Sequence, residues 1–160
     1  MASILEIEEI APSFKSYIIH DPVIARRHRA GQFVIVLLHE QSERIPLTIA
    51  DSDAVRGTIR LVVQEVGKTT MEMGTLDPGD HIQVVGPLGK PTHIEKYGTC
   101  VCVGGGAGIA PLLPIALALD DAGNRVVSIL GGRTQELVIL RREMEEVSDE
   151  ILYTTDDGSF

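Results

Sequence analysis

Residues 100–119 read CVCVGGGAGIAPLLPIALAL, an apolar run that passes through four glycines in five positions into a second apolar run. The first run is short and alternates cysteine with valine, which predicts a strand; the second, with Pro111 near its start, predicts a helix over residues 111–119. A strand ending in Gly104-Gly105-Gly106-Ala107-Gly108 and feeding straight into a helix presents backbone amides at a helix N-terminus. Glycine removes the Cβ atoms that would hold an anion away, and Pro111 in the first turn gives up no needed hydrogen bond. A phosphate fits such a turn. The pattern is not G-x-G-x-x-G: counting from Gly104 puts Ile109 in the third glycine position, and counting from Gly106 puts Pro111 there. The next strand also lacks the terminal acidic residue that reads a ribose 2′-hydroxyl, ending instead in Leu130-Gly131-Gly132-Arg133-Thr134. An ordinary dehydrogenase fold is therefore disfavoured. The plain alternative is a tight strand-to-helix turn that binds nothing, although four glycines exceed what a turn requires.

Outward from this turn the grammar differs on the two sides. Upstream, short β-runs at residues 3–10, 15–20, 32–39, 57–65 and 81–85 are broken by turn signals such as Ala30-Gly31 and Asp77-Pro78-Gly79-Asp80, which predicts a small antiparallel barrel. Downstream, strands at 98–103, 125–130 and 151–154 alternate with helices at 111–119 and 136–147. The second helix carries Leu137, Leu140, Met144 and Val147 on one face. That β-α-β-α-β order implies a parallel sheet with crossover helices. The expected fold is a Greek-key β-barrel domain over residues 1–96 followed by a partial α/β parallel-sheet nucleotide-binding domain over 97–160. Doubly wound domains use about five strands or more. Three are present, so the second domain is expected to be truncated and the chain a fragment.

Composition narrows the function classes. With 160 residues, a net charge of −9, 44% apolar residues and no window of some eighteen apolar residues, the chain is expected to be soluble and cytoplasmic, with neither nucleic acid nor a membrane as partner. The Met-Ala-Ser-Ile-Leu-Glu start carries no signal-peptide pattern. The basic cluster Arg26, Arg27, His28 and Arg29 reads as a solvated loop. Cys100 and Cys102 share one side of a strand and read as small buried apolar residues, since Cys-x-Cys alone closes neither a zinc nor an iron–sulfur site. The five histidines are scattered, and no metal site is expected.

A second anion-site candidate is Val66-Gly67-Lys68-Thr69-Thr70. It ends like a P-loop, but the glycine required five residues before Gly67 is Val62, so a kinase or NTPase reading fails. A Gly-Lys-Thr-Thr leading into a short helix over residues 70–76 still offers amides and a cation. An ordinary helix cap made by Thr69 accounts for the spacing equally well.

With both halves in view the chain resembles the ferredoxin-NADP reductase superfamily, in which a flavin-binding barrel precedes a nicotinamide-binding α/β domain. The resemblance spans the chain and is carried by Ala30-Gly31-Gln32-Phe33-Val34, Arg44-Ile45-Pro46-Leu47-Thr48-Ile49, Val66-Gly67-Lys68-Thr69-Thr70, Val85-Gly86-Pro87-Leu88-Gly89, Gly104-Gly105-Gly106-Ala107-Gly108-Ile109-Ala110-Pro111 and Gly131-Gly132-Arg133-Thr134. Within the superfamily it is most similar to the FAD-containing small subunits of NADH-dependent reduced ferredoxin:NADP oxidoreductase and of sulfide dehydrogenase, and to the dihydroorotate dehydrogenase electron-transfer subunit.

The resemblance implies an FAD-dependent oxidoreductase subunit that passes electrons between NAD(P)H and a larger partner flavoprotein or ferredoxin, by hydride transfer at flavin N5. It implies Thr48 as the hydroxyl beside N5, Leu47 along the isoalloxazine, Pro46 among the cofactor-binding residues, Arg44 on the flavin pyrophosphate, and Gly67, Lys68, Thr69 and Thr70 as the second phosphate segment. Ile45 stands where many relatives have arginine, so Arg44 lies one place early. Period-2 alternation sends neighbours to opposite faces unless a bulge realigns them. From the residues alone, Arg44 is a charged strand edge and Thr48 a β-former. Gly104, Gly105, Gly106, Ala107, Gly108 and Pro111 would lie under NAD or NADP, with Arg133 toward the adenosine side and Asp156 and Asp157 bordering the nicotinamide pocket. A [2Fe–2S] cluster is implied only for a longer chain. The alternative is a non-catalytic nucleotide-binding or assembly module of a larger redox complex.

Overall fold

Alternation of buried and outward residues dominates the first half. In β5 (Thr58–Gln64), Ile59, Leu61 and Val63 turn inward and are almost fully buried, as are Tyr17 and Ile19 of β2 (Phe14–His20) and Val34 and Val36 of β3 (Phe33–Leu37). Together with Ile4 of β1 (Ala2–Ala11), Ile49 of β4 (Ile45–Asp53) and Ile82 of β6 (His81–Leu88), they form one core. Each large apolar side chain so buried contributes roughly 1.5–3 kcal/mol. The computed structural model describes residues 1–160, which divide into two compact units, Met1–Pro91 and Thr92–Phe160. In the first unit the strands close into a barrel in the order β1-β2-β5-β4-β3-β6. All the pairings are antiparallel and the connectivity is Greek-key.

Two elements of the barrel unit depart from the sequence expectation. β4 is not among the strands expected from the sequence, because Pro46 and the acidic residues near its end carry weak strand signals. The basic cluster is no free loop: Arg26 and Arg27 form the last turn of α1 (Pro22–Arg27). Asp21 caps this helix by accepting from the Val23 and Ile24 amides at 3.2 and 3.0 Å. His28 then turns inward, its Nδ1 lying 2.8 Å from Ser52 Oγ.

Between β5 and β6, α2 (Lys68–Met73) is anchored by its C-terminal end. Tyr17 Oη donates to Met73 O at 3.1 Å, and Lys15 Nζ donates to Gly74 O at 2.6 Å while pairing with Glu65 at 3.0 Å. Carbonyls left open at a helix end are satisfied in this way by donors from the barrel wall. The N-terminal end of α2 is thereby held in place on the barrel surface.

In the second unit β7 (Thr99–Gly105), β8 (Arg125–Gly132) and β9 (Glu150–Thr155) pair in parallel in that order. A 3₁₀ turn over Gly106–Gly108 leads into α3 (Ile109–Asp121), which packs on β7 and β8. Cys102 is buried beneath it, and burial pushes its thiol pKa up. β7 is not buried on both faces as a continuous apolar strand would be: Val101 and Val103 are exposed. The helix expected over residues 136–147 is broken. Gln135–Leu137 is a 3₁₀ turn, Leu140 adopts left-handed φ 53°, and α4 covers only Arg141–Glu146. Val138, Ile139 and Leu140 are consecutive and all buried. A helix cannot aim three successive side chains to one side, so burial overrides helix continuity. No helix is long and apolar enough to cross a membrane.

Candidate cofactor sites

The register of β4 against β3 decides what the Arg44-to-Thr48 stretch presents. Thr48 pairs with Phe33, Leu47 with Val34, Pro46 with Ile35 and Ile45 with Val36, without a bulge. Directly opposed residues share a face. Ile45 and Leu47 therefore lie with the fully buried Val34 and Val36 and pack on the barrel core. Pro46 and Thr48 lie on the outer face with Phe33 and Ile35. Leu47, which the resemblance implies along a flavin ring, has its side chain toward the core. No bulge realigns Arg44 with Ile45; it stays exposed just ahead of the strand.

Beside this strand, a cavity of about 630 Å³ opens between the loop after β3 and α2. The loop contributes His39, Gln41, Ser42 and Glu43, and the helix contributes Lys68, Thr69 and Glu72. Ser42 shapes the loop: its Oγ accepts from the Leu38 and His39 amides at 3.0 and 3.2 Å and donates to His39 O at 2.9 Å. His39 Nε2 lies 2.7 Å from Glu72 Oε1, joining loop to helix. At the start of α2, Thr70 Oγ1 accepts from the Val66 and Gly67 amides at 3.1 and 2.9 Å and donates to Gly67 O at 3.0 Å. The local cap is thus made by Thr70 rather than Thr69, whose side chain is buried. Thr70 is committed to the shape of the turn, which leaves Lys68 as the cation on the cavity.

In the second unit the glycine turn, Arg133 and Asp156 gather at the carboxyl edge of the sheet. Gly105 is in register with Gly131, and Gly131 with Thr154. Beyond them, Asp156 N donates to Gly132 O at 3.1 Å and Asp157 N to Arg133 O at 3.3 Å. The glycines of the turn have different physical roles. A Cβ on Gly104 would sit 2.9 Å from Leu112 Cδ2, so that glycine admits the helix. Gly106 has φ +52°, and a Cβ there or on Gly108 would meet no atom within 4 Å. Packing does not demand a glycine at Gly108, and the surface over it is open. Ser159 hydrogen bonds hold the Asp157 carboxyl below the usual carboxylate range, so a fixed negative charge stands at this edge.

The oxidoreductase FAD-binding domain family matches residues 2–93, the barrel with its α2 site. The chain belongs to this family. Over 94% of its length it is 50% identical to the dihydroorotate dehydrogenase B (NAD(+)) electron transfer subunit homolog of Thermotoga maritima, covering 54% of that protein. Over 96% of its length it is 32% identical to the corresponding electron transfer subunit of Streptococcus pneumoniae, covering 61%. Among solved structures it superimposes with TM-score 0.92 and 47% identity on a chain of an NADH-dependent reduced ferredoxin-NADP oxidoreductase studied for flavin-based electron bifurcation. The match spans 98% of this chain and 57% of that one. The chain thus spans a little over half the length of these relatives. The resemblance to ferredoxin-NADP reductases is borne out in fold and family.

The residues of this FAD-binding domain fit a dinucleotide flavin. The cavity has room for a polar group and carries Lys68, and the outer face of β4 offers Thr48 and Pro46. Sequence reasoning missed His39, Gln41, Ser42, Glu43 and Glu72. The first four lie in a polar loop whose only sequence signal is its place immediately before Arg44. Glu72 has none, because its proximity to His39 arises from the packing of α2. Arg44, Pro46, Leu47 and Thr48 do not line the cavity.

Proposed function

We propose that the chain binds FAD on its barrel unit and a nicotinamide nucleotide on its α/β unit. In this reading it works as the electron-transfer subunit of a larger redox complex, between NAD(P)H and a partner flavoprotein or ferredoxin. The observation that carries the reading is the family match over a barrel whose surface cavity presents Lys68. Bound FAD would supply a ring that takes up two electrons together and can release them singly.

The chain's own contribution is binding and orientation, so no nucleophile or paired acid and base is required. On the barrel, Thr48 is assigned the hydroxyl hydrogen bond to the flavin near N5, and Pro46 an apolar surface for the ring. Leu47 supports β4 from the core side. Arg44 and Lys68 supply positive charge to the pyrophosphate, Gly67 and Thr70 shape the turn beside it, and Thr69 closes the cavity wall. On the α/β unit, the amides of Gly105, Gly106, Ala107 and Gly108 precede the thirteen-residue α3 and hold a nucleotide phosphate. Gly104 and Pro111 let the helix start close to the sheet. Arg133 faces the adenosine side. Asp156, at the carboxyl end of β9, borders the nicotinamide pocket.

The test is the visible absorbance of the purified chain with added FAD, before and after anaerobic NADH and, separately, NADPH. A retained flavin band bleached by one of the two nucleotides supports the reading and names the donor. A chain that retains no flavin would favour the non-catalytic assembly module instead.

A further inference from the structure

We propose that the contact of His39 with Glu72, which ties the loop after β3 to α2 on the lining of the α2 cavity, is a latch that slows release of the AMP half of FAD. Neither residue belongs to the phosphate-binding segments discussed above, and the inference rests on reading that cavity as part of the FAD site. Both side chains line it, His39 on the loop after β3 and Glu72 on α2. Their 2.7 Å contact joins segments 33 residues apart in the chain.

The wiring of the imidazole specifies the kind of bond. Gln41 N donates to His39 Nδ1 at 3.2 Å, so Nδ1 is an acceptor and carries no proton. The ring proton then sits on Nε2 and is donated to Glu72 Oε1. The latch is a hydrogen bond from a neutral imidazole with its tautomer set by the Gln41 amide. It therefore needs an acceptor at position 72 and does not need a charge there. The loop carrying His39 is held in shape by Ser42 independently of Glu72, through hydrogen bonds to the Leu38 and His39 amides. Breaking the latch consequently frees the loop from α2 without unfolding the loop. Both side chains are partly exposed, at 47% and 38%, so the barrel core does not depend on them. His39 and Glu72 are positioning residues, acting through closure of the cavity.

The acceptor requirement separates this latch from an ion pair. In the full chain, Glu72→Ala and His39→Ala are expected to release FAD about two- to fivefold faster, the range for a partly exposed pair. Glu72→Gln, which keeps an oxygen acceptor, is expected to release FAD at the original rate. FMN, which lacks the AMP half, is expected to dissociate equally fast from all four proteins. The measurement is the flavin fluorescence rise on dilution of the loaded chain, with far-UV circular dichroism to check folding. If the unmutated chain takes up no FAD, the cofactor reading of the barrel falls and the latch falls with it. If it takes up FAD and the alanine variants release it no faster, the latch alone is overturned. A Glu72→Gln variant as fast as Glu72→Ala overturns the neutral hydrogen bond. Equal acceleration of FMN release overturns the assignment to the AMP half.

Discussion

At the residue scale, single atoms decide outcomes that composition does not foreshadow. Thr48 stands on the outer face of β4 opposite Phe33, away from the core, so Thr48→Ala should leave the barrel folded. It should slow flavin reduction by NADH roughly tenfold, the worth of one well-placed hydrogen bond. Stopped-flow reduction at an unchanged rate would take Thr48 out of the mechanism. The glycine turn offers an internal control. Gly104→Ala would drive a Cβ to 2.9 Å from Leu112 Cδ2 and 3.3 Å from Gly108 O, and it should cost about 1–3 kcal/mol in denaturant titrations. Gly108→Ala meets open space at φ −68°, so it should leave stability unchanged while weakening NADH binding. Undiminished NADH affinity in a folded Gly108→Ala protein would place the phosphate elsewhere. His28 gives a pH signature. Burial lowers its pKa below the ordinary 6.5, with Asp51 acting in the opposite direction, and its Nε2 is buried without a partner. The unfolded chain then binds the proton more readily than the folded one. The contribution of neutral His28 is full above pH 6.5 and is lost as the pH falls from there through the depressed folded value. Melting curves from pH 8 to pH 5 should show a flatter pH dependence for His28→Ala than for the unmutated chain.

At the scale of elements, most of the order of strands and helices was legible because its signals are local: period-2 runs upstream, and apolar runs parted by glycine turns downstream. The places where reading failed share a cause. β4 contains Pro46 and takes its strand character from pairing with β3 and β5. The α1 segment reads as a basic loop by its charges, and becomes a helix through Asp21 as cap and Pro22 as first residue. The break at Leu140 follows from burying Val138, Ile139 and Leu140 together. Each is a case of tertiary contact overriding local preference. Asn124 shows the opposite limit, one side chain that joins elements. Its Nδ2 donates to Leu119 O and Glu95 O at 2.8 and 2.9 Å, and its Oδ1 accepts from the Tyr97 and Gly98 amides at 2.6 and 3.0 Å. It ties the end of α3 to the start of β7. Asn124→Ala should lower stability by about 2–4 kcal/mol, measured by urea unfolding, because several polar groups lose their partners at once. A loss under about 0.5 kcal/mol would mean that water replaces the amide.

At the scale of the whole molecule, ligand linkage is the most direct check on the cofactor assignment. Free FAD at 100 times its Kd should stabilise the chain by about 2.7 kcal/mol and raise its melting temperature, while riboflavin at equal concentration should do less. No shift with FAD would contradict binding to the folded barrel. The amino-acid sequence by itself determined that a β module precedes an α/β module, that Gly104 to Gly108 close a strand and open a helix, and that Lys68 stands at the start of another. These follow from periodicity and backbone chemistry within a few residues. Only the tertiary structure decided that β5 lies between β2 and β4 and that β6 closes the barrel on β1. It also decided that Leu47 faces the core while Thr48 faces out, and that His39 meets Glu72 on the lining of one cavity. The physical reason is that strand register and cavity walls are set by pairings between distant segments. A shift of one residue in such a pairing exchanges every inward side chain for an outward one.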